Sequence, residues 1–147
     1  MSIIRDDYTA ALAGIHAHGW ELLERYRDLV EQEVVSTPTE ALLNQVVEKR
    51  RDMLERVEAM ERARGDLPKA GNEERALVHA ITDWVKSRVQ SEGSLILRLI
   101  EAEEQWRTEV TEATELDWSE DEQDVLCQLI IHSERFVDEL RFLQSAV

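Results

Sequence analysis

With 147 residues, the chain has the length of one domain and can bury a real core. Five glycines, two prolines and 5% aromatics against 33% charged residues exclude a sheet-rich composition and point to long, solvent-facing helices. A net charge of -15 excludes nucleic acid, whose phosphates call for Lys and Arg, and it disfavours anionic membrane surfaces.

The first helix is expected over 6–34. Tyr8, Leu12, Ile15, Gly19, Leu22, Tyr26 and Leu29 recur at alternating steps of four and three, which makes a heptad-like seam. Gly19 on that seam leaves room for a neighbouring helix to approach. The run Ser36-Thr37-Pro38-Thr39-Glu40 then reads as a helix start, with Thr37 as N-cap, Pro38 at N1 and Glu40 at N3. The second helix spans 38–64, with Leu43, Val46, Met53, Val57 and Met60 on one stripe. Gly65 ends it and Pro68 follows.

Asn72 suits the N-cap of a third and longest helix over 73–114. Its stripe holds Val78, Ile81, Val85, Ile96, Leu99, Trp106 and Val110, and Ser91-Glu92-Gly93-Ser94 is where a break belongs. Ser119 and Glu122 form a capping box for a fourth helix over 120–145, whose seam is Leu126, Leu129, Phe136, Leu140 and Leu143. The fold expected is all-α: an elongated up-down antiparallel bundle of about four long helices in a single domain, with coiled-coil-like packing. The N-terminal residues lack the apolar run of a signal peptide and no stretch is long enough to span a bilayer. The lone Cys127 excludes an internal disulfide and reads as an inert packed thiol. These features predict a soluble cytoplasmic protein with no membrane insertion.

Most of the charge is concentrated in one place. Residues 101–124 hold eleven acids against Arg107 alone, which leaves ten of the fifteen net negative charges there. Acids at the start of the fourth helix favour its dipole, but those near the end of the third oppose it. The segment therefore reads as a cation site or as a docking patch for a basic partner. An EF-hand starting at Asp117 fails, because Glu122 and Gln128 stand where Gly and Glu are required. None of His16, His18, His79 or His132 has Glu three residues before it, so a di-iron bundle is excluded and no cofactor is expected.

Glu101-x-x-Glu104 followed by Asp121-x-x-Asp124 resembles the acidic signature of the all-α nucleoside triphosphate pyrophosphohydrolases of the MazG type. That resemblance implies magnesium held by carboxylates on two adjacent helices, with Trp106 stacking the base. Asp121 stands where the family has Glu, and no Lys or Arg cluster lies nearby for phosphate.

The segments from Leu22 to Glu33 and from Glu48 to Val57, the latter with Arg62 or Arg64 beyond it, resemble the flagellar type III export chaperones of the FlgN and FliT type. The resemblance implies a non-enzymatic protein that masks the amphipathic terminal helix of an export substrate. Phe136, Val137, Leu140, Phe142, Leu143 and Val147 make the end of the last helix apolar on more than one side, and Trp118 sits in an acidic turn. Together they form the expected partner surface. The other readings are that these residues complete the bundle or a homodimer, or that the chain is a structural coiled-coil oligomerisation protein.

Overall fold

Helix α1 (Asp7–Glu31) starts where Asp6, in extended conformation, accepts the Thr9 amide at 2.8 Å on its carboxylate. It stops three residues short of the expected end because Glu33 takes a left-handed φ of 54° and turns the chain. Helix α2 (Thr37–Ala63) is capped by Ser36, one residue earlier than the sequence suggested. The Ser36 hydroxyl contacts Thr39 Oγ1 at 3.3 Å rather than a backbone amide, and the Ser36 amide donates to Glu92. Gly65, at φ 85°, closes α2 as expected of a C-terminal glycine.

The computed structural model describes residues 6–65 and 91–146. Helix α3 (Glu92–Ala113) begins at an N-cap, Ser91, whose hydroxyl accepts the Ser94 amide at 3.2 Å. The helix boundary therefore falls at Ser91, inside the Ser91–Ser94 run where a break was expected. At ψ 157° Ser91 is extended, and its side chain takes an amide that a continuing helix would bond to a preceding carbonyl. Residues 73–90, with the Asn72 cap and the Val78, Ile81 and Val85 stripe, lie outside the described residues. Helix α4 (Glu120–Ala146) opens with the expected capping box, in which Ser119 and Glu122 exchange bonds of 3.2 and 3.3 Å.

Among the described residues, four helices form an all-α antiparallel bundle. Each packs on two neighbours: α1 on α2 and α3, and α4 on α3 and α2. Cross-helix contacts run in opposite directions along α1–α2, where His16 meets Glu61 and Gly19 faces Leu54, and likewise along α1–α3 and α2–α4. Tyr8 meets Asp117 while Tyr26 meets Glu103, and Arg64 meets Glu122 while Arg50 meets His132. It follows that α2 and α3 lie across a diagonal and run parallel. Arg64 and Ser91 consequently sit at opposite ends of the bundle, roughly 30 Å apart by the length of α3.

The seams become the core. Leu12, Ile15, Leu23, Tyr26, Leu43, Leu54, Val57, Leu99, Val110, Leu126 and Leu140 are all buried. Gly19 fulfils its expected role, since a Cβ there would lie 2.8 Å from Leu54 and 3.2 Å from Trp106.

Candidate functional site

Each helix brings one seam position to the middle of the bundle, and there the apolar pattern is interrupted. Tyr26 (α1), Arg50 (α2), Glu103 (α3) and Ser133 (α4) are all fully buried. Arg50 donates from Nη1 to Glu103 Oε1 at 3.0 Å, and its Nη2 lies in ion contact with Oε2 at 2.8 Å, misaligned for a hydrogen bond. Tyr26 donates its hydroxyl to the same carboxylate at 2.5 Å. Arg50 Nε donates to His132 Nδ1 at 3.1 Å, and the guanidinium lies 4.6 Å from the centre of the Trp106 ring.

Burial alone would push the Glu103 carboxyl up. The Arg50 charge and the hydrogen bonds from Arg50 and Tyr26 outweigh it and hold the group below the usual range. The Ser133 hydroxyl lies close enough to favour the ionised carboxylate, though not in hydrogen-bond alignment. Tyr26 is pushed well above its ordinary value, first by burial and then by Glu103. His132 is pulled down to about 4 by burial and by the positive charge of Arg50. A second buried pair joins His16 Nδ1 to Glu61 Oε1 at 3.0 Å, and burial lowers the His16 pKa against the pull of Glu58.

The expected partner surface is largely corrected. Phe136, Val137 and Leu140 are buried, because α4 presents them to its neighbours in the core. Trp118 is buried as well. Its Nε1 donates to the Ala113 carbonyl at 2.7 Å, and its ring packs edge-on against Tyr8 at 4.9 Å, closing the end of the bundle. Leu143 is half-buried against the core, Phe142 is 73% exposed, and Val147 lies outside the described residues. Phe142 and Leu143 border a groove of about 390 Å³ between α2 and α4, with Pro38, Ala41 and Leu42 on the opposite wall. Cys127 is exposed rather than packed, since Leu126 and Leu129 occupy the core-facing positions around it.

The acidic quartet is not brought together. Glu104 pairs with Arg141 at 3.0 Å, which lies almost five turns beyond Asp124 on α4, roughly 25 Å at 1.5 Å per residue. Glu101 and Asp121 are exposed, and Asp124 accepts from Gln128 within its own helix. Trp106 is buried and donates to the Ile15 carbonyl at 3.1 Å, so it offers no face for a base. No group of three or more His, Cys, Asp or Glu among the described residues could hold a metal ion.

The sequence reading passed over Arg50 and Glu103 as site residues. A signal was present. Arg50 falls between Val46 and Met53, Glu103 between Leu99 and Trp106, and Ser133 between Leu129 and Phe136, each at the step of four then three that defines a seam.

Among the described residues, four helices form a bundle with a buried ionic layer and an open apolar groove. Comparison of the chain with protein-family models, with curated proteins and with solved structures finds no match. No helix among the described residues is long and apolar enough to cross a membrane.

Proposed function

We propose that the protein is a helical chaperone or adaptor that holds an amphipathic helix of another protein in the α2–α4 groove. In its finer form, the partner is a type III export substrate and the setting is the cytoplasm. The observation that carries this reading is Phe142, a large apolar side chain left 73% exposed beside a groove walled by Pro38, Ala41 and Leu42. An exposed aromatic next to an apolar groove is the footprint of helix-in-groove recognition, in which the partner's apolar stripe supplies the missing side. Asp138 and Glu139 rim the groove and favour basic residues flanking that stripe. No reaction is assigned, because the carboxylates of the pyrophosphohydrolase reading stand at separate levels of the bundle.

The reading is tested with a photo-crosslinking amino acid at position 142 in the full chain. Crosslinks are expected to an amphipathic helical segment of a second protein. With the crosslinking residue moved to Ala41 on the opposite wall, Phe142→Asp is expected to abolish that capture with thermal stability unchanged, because the Phe142 side chain is already in water. Leu140→Asp is unsuitable for the purpose, since it would put a charge in the core. Crosslinks only to a second copy of this chain would replace the adaptor with a homodimer.

A further inference from the structure

The groove does not end at Phe142. It continues toward the middle of the bundle, where Leu42, Gln45 and Glu139 line both halves and the inner half of about 210 Å³ is bounded by Lys49, His132 and Arg135. The inner half therefore differs sharply in chemistry from the outer one.

An arginine Nε always carries its proton, so the 3.1 Å contact from Arg50 makes His132 Nδ1 an acceptor. The proton of the neutral ring is thereby fixed on Nε2, the only other polar atom the ring offers to the groove it lines. Lys49 and Arg135 flank it. Neither forms an ion pair or hydrogen bond among the described residues, in a chain with 32 acids to choose from. The inner groove thus gathers one ammonium, one guanidinium and one imidazole N–H, with the charge of Arg50 buried behind them.

We propose that the inner half of the α2–α4 groove binds a carboxylate, clamped by Lys49 and Arg135 and hydrogen-bonded by His132 Nε2–H. A singly charged carboxylate suits the site better than a phosphate dianion, because Glu139 stands on the rim and the chain as a whole carries -15. The low His132 pKa agrees with the geometry. After burial, Arg50, Lys49 and Arg135 all depress it against Glu103, so the ring sits in a positive field that an anion would relieve. This identification of the occupant rests on the adaptor reading: it is an Asp or Glu of the docked helix. That residue would lie about two turns, roughly 10 Å, from the apolar residue that meets Phe142.

The site can be tested without the partner. Sodium acetate is titrated into the full chain at constant ionic strength, with sodium chloride as the balancing salt, and the His132 ring resonances are followed by NMR. The expected result is a saturable shift and a raised His132 pKa. Binding should weaken by about tenfold or more in the Lys49→Gln/Arg135→Gln variant, as expected for loss of charge-assisted contacts. Both side chains are exposed, so that variant should keep the fold. A linear response that chloride reproduces would overturn the site. Displacement of acetate by much lower inorganic phosphate would overturn the choice of carboxylate. Either result leaves the crosslinking outcome at position 142 standing, so the two readings fail separately.

Discussion

Arg50 and Arg64 lie about four turns apart on α2, and each is surrounded by the same kinds of residue. Arg50 meets Glu103, the Trp106 ring and, through the shared carboxylate, Tyr26. Arg64 meets Glu122 with both arms at 2.8 and 2.9 Å, and lies 4.5 and 5.1 Å from the Tyr8 and Trp118 ring centres. The difference is solvent. Both side chains of the central pair are 0% exposed, whereas those at the end are 27% and 17% exposed. In the centre, both groups lose their hydration completely, and Glu103 is held ionised by Arg50 and Tyr26. At the end, water shares the work, and the bidentate geometry mainly orients Arg64 across the rings that close the bundle. One set of residue types thus serves as an obligatory internal layer in one place and as a solvated clasp in another.

The largest way to break the comparison is to remove one central charge. Arg50→Met should destabilise by about 3–5 kcal/mol in urea unfolding, because it strands Glu103 in the core. Adding Glu103→Leu should recover much of that loss, since the pair as a whole gives little net stability over an apolar layer. Failure of the double variant to recover would mean that Tyr26 and His132 depend on the ions more than the pairwise picture allows.

Acid should expose the centre next. His132 takes up its proton near pH 6.5 in the unfolded chain but only near pH 4 in the folded one. Its contribution is full above pH 6.5 and is lost as pH falls toward 4; at about 1.4 kcal/mol per pH unit this is at most about 3.5 kcal/mol, which water at the half-buried ring lowers to roughly 2–3 kcal/mol. His16, also lowered, acts in the same direction. The carboxyls of Glu103 and Glu122, held down by their arginines, add losses as pH falls below 4.5. His132→Gln keeps an acceptor for Arg50 and should flatten the upper part of the profile, as measured by urea midpoints between pH 7 and 4.

The smallest effect belongs to the end. Arg64→Met should cost only about 1–2 kcal/mol, the sum of a partly exposed ion pair and cation–π contacts. Raising the salt should shrink the difference between wild type and variant at this position. An Arg64 loss equal to the Arg50 loss would remove the contrast between the two regions.

Much of the fold was legible before any coordinates. The seam of α1, the glycine close approach at Gly19, the Ser119–Glu122 capping box and the Gly65 terminus all follow from local rules of helix geometry. Ser36 rather than Thr37 takes the extended N-cap position, one residue earlier, with its hydroxyl on Thr39 Oγ1. The candidate site was less legible. Phe142 and Leu143 were picked out together with Phe136, Val137 and Leu140, because an apolar run does not say which of its members the neighbouring helices will cover. Arg50 and Glu103 escaped notice as site residues because a charge at a seam position resembles an interruption until its partner is found on another helix.

The sequence by itself determined the helices, since their periodicity and caps depend on residues three and four apart. Tertiary structure alone decided that α2 and α3 run parallel across the diagonal, and that Arg50 meets a carboxylate 53 residues away. Those pairings depend on which helix faces which. The burial that gives the central charges their behaviour exists only once all four helices have closed around them.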